Sequence, residues 1–155
     1  MVKLLVASPV RQIPDVLREY LQSLSELDIS GFSVSYCFVD DNDDPESKAL
    51  LQESAANFDC RLIHGHSVGS PYVRGDTTHV WPEEAIWRVA AYKDQVIEMA
   101  AREGYDGLFL VDSDLVLHPR TLQQLWASGK EIISEVFWTR WKPDQPELPQ
   151  VWQSL

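Results

Sequence analysis

Two acidic turns carry the residue types and the spacing that could do chemistry in this sequence. The stretch FLVDSD places Asp112 and Asp114 directly after an apolar run, and the stretch YCFVDD does the same with Asp40 and Asp41. Carboxylates this close repel one another unless a cation lies between them. Mg²⁺ and Mn²⁺ prefer oxygen ligands and keep coordination positions open for water and substrate phosphates. The two turns therefore predict a divalent-metal site that handles a phosphate-bearing ligand.

The acidic turns also have plainer explanations. An Asp-rich turn is often a solvated loop in which Asp side chains cap the backbone, and this alternative stays open for the DDNDD stretch taken alone. A calcium-binding EF-hand loop is excluded there, because its glycine position holds Pro45 and its bidentate glutamate position holds Leu51. The DSD stretch is more specific, since it lies between an apolar run and a second apolar stretch that ends at Pro119.

A predicted helix adds two basic residues to these carboxylates. Lys93 falls in the middle of the apolar stripe of the helix predicted from Pro82 to about Glu103. Lysine is rarely buried without a partner, so Lys93 either extends to the rim or reaches a crevice where it meets phosphate or carboxylate. Arg88, about one turn earlier and next to the same stripe, is the other candidate.

The elements that must position these residues alternate between strand and helix. The sequence predicts strands at KLLVAS, FSVSYCFV, CRLIHG, DGLFLV and EIISEVFW. It predicts helices opened by Pro14, over 46–57, over 82–103 and over 119–128, with a long loop at 65–81 and an extended, proline-rich tail. This alternation predicts an α/β fold with a mainly parallel sheet flanked by helices. Both acidic turns follow strands, so we expect them at one crevice beyond the carboxyl ends of the sheet.

Length, charge and cysteine content narrow the class of protein. The 155 residues predict one domain, and the net charge of −11 makes nucleic acid a poor candidate partner. No apolar stretch approaches the ~20 residues of a membrane-spanning helix, and the first residues read as a strand, not as a signal peptide. Cys37 and Cys60 lie in apolar surroundings and are expected to be buried free thiols, which favours a cytoplasmic location.

In the order and spacing of these segments, the chain resembles nucleotide-diphospho-sugar glycosyltransferases with the GT-A fold, of the family-2-like kind. The resemblance rests on LLVASPVRQ, YCFVDDNDD, WRVAAYKDQVIEMAAREGYDGLFLVDSD and LHPRTLQQLWASGKEIISEVFWTRW, and thus covers nearly the whole chain. It implies a Rossmann-like GT-A sheet, Mn²⁺ or Mg²⁺ as cofactor, and a hexosyl transfer from a UDP- or GDP-sugar to an acceptor that the sequence does not identify.

The resemblance also implies roles for single residues. Asp114 would bind the metal directly, and Asp112 would contact the ribose or reach the metal through water, with Ser113 between them in the nucleotide site. Asp41, or its neighbour Asp40, would contact the nucleobase. The other implied contacts are those of Ser8, Pro9 and Arg11 with the nucleoside and of Lys93 or Arg88 with the diphosphate.

One departure from the family affects the expected activity. Members usually continue well beyond the fifth strand, where later residues supply the acceptor site and, in inverting enzymes, a carboxylate base. The weak candidates for a base here are Glu135, Asp144 and Glu147. We therefore expect a single GT-A-like domain over residues 1–155 that is either truncated or compact.

Two further functions are weighed against transfer. The same fold could bind a nucleotide or sugar nucleotide without transferring it. A metal-dependent phosphohydrolase or a receiver-type phosphoacceptor domain is disfavoured, because the receiver needs an acidic pair after the first strand and this chain has ASPVRQ there.

Overall fold

A four-stranded parallel sheet forms the centre of the structure, a computed structural model. The structure describes residues 1–65, 73–74, 79–80, 82–136, 138–140 and 144–149. The strands are β1 (Val2–Val10), β2 (Phe32–Asp40), β3 (Cys60–His64), β4 (Val73–Arg74), β5 (His79–Val80), β6 (Gly107–Leu110), β7 (Trp138–Thr139) and β8 (Leu148–Pro149). The sheet has the order β3-β2-β1-β6 with every pairing parallel, whereas β4 with β5 and β7 with β8 form separate antiparallel pairs.

Four helices connect or follow these strands, close to where the sequence predicts them. They are α1 (Pro14–Ser25), α2 (Pro45–Ala55), α3 (Glu83–Arg102) and α4 (Thr121–Ala127). The first two begin with a proline, whose fixed φ suits the first turn of a helix and whose missing N–H has no partner there anyway. Asp44 caps α2, since its carboxylate accepts a hydrogen bond from the backbone N–H of Ser47 at 2.8 Å. None of the helices in the described part of the chain is long and apolar enough to cross a membrane.

Two hydrophobic clusters cover the two faces of the sheet. On one face, Val6 of β1 and Phe38 of β2 pack with α1, α2 and α4. On the other face, Leu5 and Cys37 of the same strands pack with α3. Successive side chains of a strand point to opposite faces, so a strand buried on both sides reads as a continuous apolar run. The predicted α/β fold with helices on both faces is confirmed.

The order of the strands explains how the helices divide between the faces. The chain steps in one direction from β1 through α1 to β2 and through α2 to β3, and then returns through α3 to β6 on the other side of β1. Crossovers between parallel strands are right-handed, so a reversal of direction moves the helix to the opposite face. The reversal occurs between β1 and β6, and the carboxyl ends of these strands are therefore the expected place for a ligand.

The predicted fifth strand, EIISEVFW, is not part of the sheet. Residues 131–136 have no regular structure, Phe137 lies outside the described part of the chain, and Trp138 and Thr139 form the short antiparallel pair with β8. Helix α4 packs through Leu122 on the same face as α1 and α2. A parallel strand placed beyond β6 after such a helix would need a left-handed crossover, which is strongly disfavoured. Apolar side chains of the segment, such as Ile132, are exposed as a result.

The loop predicted over residues 65–81 contains the β4–β5 pair, and its other residues after Gly65 lie outside the described part of the chain. Of the predicted tail, the described residues 144–149 contain β8.

Both cysteines carry free thiols, as the sequence predicts. Cys37 is fully buried against α3, and Cys60 is half-buried beside the cluster on the opposite face. The two side chains belong to different faces of the sheet and so cannot pair with each other. Burial raises the pKa of each thiol to about 11, because a thiolate is poorly solvated there.

These thiols should react slowly in the folded protein. At neutral pH, a rise of the pKa from 9.0 to about 11 lowers the thiolate fraction on the order of a hundredfold, and the thiolate is the nucleophile. A thiol-reactive aromatic disulfide should label both cysteines in urea but neither at a comparable rate without it. Rapid labelling of the folded protein would contradict the burial of the thiols.

The free energy of unfolding should also fall as the pH rises past the ordinary pKa of a thiol, since the unfolded chain releases protons that the folded chain retains.

Candidate functional site

A cleft of about 500 Å³ opens beyond the carboxyl ends of β1, β2 and β6. Its walls are the loop after β1, the acidic turn after β2, the first half of α3 and the DSD turn after β6. Most of the residues that the sequence nominated lie in these walls, namely Pro9, Arg11, Asp41, Arg88, Lys93, Asp112, Ser113 and Asp114. The fold thus brings together residues that are up to 105 positions apart in the chain, as Pro9 and Asp114 are.

Two nominated residues near the cleft do not line it. Ser8 is fully buried, and its hydroxyl donates to the carbonyl of Pro9 at 3.2 Å. Asp40 is also buried, and its carboxylate accepts hydrogen bonds from the backbone N–H of Asn42 (3.1 Å) and from the Asn42 side-chain amide (2.8 Å). Asp40 therefore shapes the acidic turn from within, and of the two neighbouring acids Asp41 is the one at the cleft.

The candidates for a catalytic base lie elsewhere. Glu135 and Asp144 are exposed, and Glu147 forms an exposed ion pair with Arg140 at 3.1 Å. None of these three acids lines the cleft.

The carboxylate of Asp41 is the centre of the inner part of the cleft. It is 4% exposed, and its Oδ1 accepts a hydrogen bond from the Tyr92 hydroxyl at 2.9 Å. Its Oδ2 lies 3.5 Å from Nη1 of Arg11 and 3.3 Å from Nε of Arg88. The Arg88 Nε is not aligned for a hydrogen bond, so its attraction to the carboxylate is mainly Coulombic. Two guanidinium groups and a hydroxyl, from the β1 loop and α3, thus compensate one buried negative charge.

A glycine closes this arrangement from the end of β3. The N–H of Gly65 donates to the carbonyl of Asp40 at 2.8 Å. A Cβ at this position would lie 2.8 Å from the Tyr92 hydroxyl oxygen and 2.9 Å from the Asp40 carbonyl oxygen. Both distances are shorter than a non-bonded contact between carbon and oxygen allows. Any larger residue would therefore displace Tyr92 or the strand end.

The acidic turn is held to the loop after β1 by hydrogen bonds. The backbone N–H of Gln12 donates to Oδ1 of Asn42, and the Ser47 hydroxyl donates to the Gln12 carbonyl, both at 2.8 Å. Arg11 also pairs with Asp43 across the same gap. Asp40 and Asp44 both cap backbone N–H groups, as the plainer explanation of the DDNDD stretch expects. Asp40, Asp41 and Asn42 are buried, so this part of the stretch is not a solvated loop.

The DSD turn forms the open part of the cleft. The backbone N–H of Val111 donates to the carbonyl of Ala7 at 3.0 Å and ties the turn to β1. Ser113 is buried, whereas Asp112 and Asp114 are exposed, and Asp112 Oδ1 lies 3.4 Å from Nζ of Lys93. Exposed carboxylate oxygens are suitable ligands for Mg²⁺ or Mn²⁺. No group of three or more His, Cys, Asp or Glu side chains in the described part of the chain could hold a metal ion. Asp112 and Asp114 alone would leave most coordination positions of such an ion to water or to other oxygen donors.

The residues that the structure describes give the cleft a net negative charge. Among them, its walls contain three cationic side chains, Arg11, Arg88 and Lys93, against five carboxylates, Asp41, Asp43, Asp44, Asp112 and Asp114. Each cation already has an acidic partner within 3.5 Å. An anionic ligand entering alone would therefore meet net repulsion.

The comparisons with known proteins concern the fold. No protein-family model matches the chain, and no curated protein is similar to it. Among solved structures, it is similar to S. aureus TarS 1-349 with a TM-score of 0.47 and 18% identity, over 81% of this chain and 32% of that chain. The structure of TarS 1-349 in complex with UDP-GlcNAc gives a TM-score of 0.48 and 19% identity, over 81% of this chain and 30% of that one. The chain thus spans about a third of the length of these proteins.

Two residues in and beside the cleft, Tyr92 and Gly65, were not predicted from the sequence. Tyr92 lines the cleft and donates to Asp41. It follows Arg88 by about one helical turn and shares its face of α3, so helical periodicity could have placed it beside Arg88. Gly65 gives only the weak signal of a glycine directly after a strand. The hydrogen bond from Tyr92 to Asp41 and the one from Gly65 to the Asp40 carbonyl depend on how α3 and β3 are packed, which the sequence pattern does not specify.

Replacing Asp41 tests whether the inner cleft depends on its charge. Asp41→Asn keeps the shape but leaves two guanidinium groups next to a neutral amide, so we expect a loss of about 3 kcal/mol in the free energy of unfolding. Asp43→Asn is the matched control, because the Asp43 side chain is 62% exposed, and it should cost less than about 1 kcal/mol. Urea denaturation of both variants measures the difference, and equal losses would refute the central role of Asp41.

Proposed function

We propose that the cleft binds a nucleotide-diphospho-sugar together with a divalent metal ion, and that the protein is a glycosyltransferase using a UDP- or GDP-sugar. The observation that carries this proposal is the division of the cleft. Its inner part is built around the buried Asp41, and its outer part presents the exposed carboxylates of Asp112 and Asp114 beside Lys93. A ligand with a nucleoside at one end and a metal-bound diphosphate at the other suits this arrangement.

The net negative charge of the cleft supports a requirement for metal. Lys93 alone does not offset the charge of a diphosphate beside five carboxylates, and a divalent ion held by the DSD turn would offset more of that charge. We assign Asp114 as a direct ligand and Asp112 as a ligand or a contact to the ribose. When bound, Mn²⁺ or Mg²⁺ would supply charge neutralisation at the departing nucleotide.

The remaining assignments follow the walls of the cleft. We assign Pro9 and Arg11, which line the inner part of the cleft, to the nucleoside, and Asp41 to the base. Because its carboxylate is already surrounded by donors, Asp41 would also hold Arg11 and Arg88 in place for the ligand.

A binding module without transferase activity is the second candidate. It is favoured by one observation, that Glu135, Asp144 and Glu147 all lie away from the cleft. A protein of this kind would hold the donor in the same way but would not provide a base to activate an acceptor.

Calorimetry with Asp114→Asn tests the proposed binding site. Mn²⁺ should tighten the binding of UDP or GDP to the wild-type protein by about tenfold or more, because two carboxylates leave most of the metal's coordination shell to the diphosphate. Asp114→Asn should remove this enhancement without unfolding the protein. Asp94→Asn, at an exposed position of α3 outside the cleft, is the matched control and should retain it. No enhancement in the wild type, or full enhancement in Asp114→Asn, would refute the proposal.

Turnover separates the two candidates. The protein is incubated with Mn²⁺ and a UDP- or GDP-sugar, and release of the nucleoside diphosphate is followed with time. A transferase should show at least slow hydrolysis of the donor, and Asp114→Asn should lower it by about a hundredfold or more if the metal stabilises the leaving group. Tight, metal-dependent binding with no release above background would support the binding module.

A further inference from the structure

We propose that Lys93 competes with the metal ion for Asp112, and that the diphosphate of the ligand removes this competition by drawing Lys93 to itself. This inference rests on the proposed function for the identity of the ligand. Its structural basis is the ion pair in which Nζ of Lys93 lies 3.4 Å from Oδ1 of Asp112. Asp112 is thus engaged by a cation of the protein at the position where a metal would need it.

Among the cationic side chains that the structure describes in the cleft, Lys93 is the one held least firmly. Its side chain is 37% exposed, compared with 24% for Arg11 and 16% for Arg88. The two arginines are held at the buried carboxylate of Asp41, whereas the partner of Lys93 is 68% exposed. An ion pair this open to water contributes little free energy, so a stronger anion can displace it.

A diphosphate is such an anion. It carries more negative charge than a single carboxylate, and the ammonium of lysine is a compact charge on a flexible stem that can turn from one partner to the other. Lys93 lies on the cleft side of α3, in the same wall as Arg88 and Tyr92. A short rotation of its side chain would release the Asp112 carboxylate for the metal.

The consequence is that the affinity of the site for a metal ion depends on whether nucleotide is bound. Without nucleotide, a metal ion must compete with Lys93 for Asp112 and binds weakly. With nucleotide, Lys93 contacts the diphosphate, and Asp112 joins Asp114 on the metal side. Part of the mutual enhancement of metal and nucleotide binding therefore passes through Lys93, which acts as a positioning residue.

The test measures Mn²⁺ binding to the protein without nucleotide, from the paramagnetic resonance signal of the free ion. Lys93→Met should raise the affinity for Mn²⁺ about two- to fivefold, the range expected for removing an exposed competing ion pair. Lys93→Arg keeps the charge and the pairing and should stay close to the wild type. Arg11→Met removes one positive charge from the same cleft without touching Asp112, and it should raise the affinity less than Lys93→Met does. Circular dichroism confirms that each variant is folded.

The same titrations are repeated with saturating UDP or GDP. The factor by which nucleotide tightens Mn²⁺ binding should be smaller in Lys93→Met than in the wild type, by about the gain seen without nucleotide. Unchanged or weaker Mn²⁺ binding by Lys93→Met would overturn the competition, as would an equal gain in Arg11→Met, which would indicate a general field effect. If Lys93→Met gains affinity for Mn²⁺ but no nucleotide binds to any variant, the competition stands and the proposed function falls.

Discussion

A buried carboxylate at the end of β2 is the interaction on which the rest of the site depends. Moving a charge from water into a protein interior costs several kcal/mol unless opposite charges and hydrogen bonds compensate it. Asp41 obtains this compensation from Arg11 in the loop after β1 and from Arg88 and Tyr92 on α3. The loop that carries Arg11 and the helix that carries Arg88 and Tyr92 are brought to the carboxylate by different packing contacts, so its charge is compensated only when the sheet, the loop and α3 are all in place.

This requirement explains features that look unrelated along the chain. Position 65 accepts only glycine without rearrangement, because the Tyr92 hydroxyl and the Asp40 carbonyl occupy the space that a side chain would need. Asn42 accepts a hydrogen bond from the backbone of Gln12 and thereby holds the loop after β1, which carries Arg11, next to the acidic turn. The inner half of the cleft is therefore pre-formed, whereas the DSD turn stays open to water. The cleft therefore combines a pocket held in shape by ion pairs and hydrogen bonds with two carboxylates that are exposed to water.

The position of the cleft follows from chain topology. Strands β2 and β6 both pair with β1, one on each side, and the connections that reach them pass over opposite faces of the sheet. The loops after these strands therefore diverge, and a crevice opens between them. The same handedness rule leaves the edge of β6 without the strand predicted at EIISEVFW, since α4 lies on the face from which a right-handed crossover would lead back towards β1.

The sequence by itself determined the class of fold and predicted that the acidic turns meet at one edge of the sheet. Continuous apolar runs indicated strands buried on both faces, and carboxylates at the ends of two such runs indicated one acidic edge, because parallel strands end together. Lys93 stood out because a charge within an apolar stripe needs a partner, and that partner proved to be Asp112. Tertiary structure alone decided that Asp41 and not Asp40 faces the cleft, that Tyr92 and Gly65 belong to the site, and that residues 131–136 form no strand. The physical reason is that periodicity fixes which face of its own element a residue occupies, whereas the partners it meets depend on crossover handedness and on packing between elements distant in the chain.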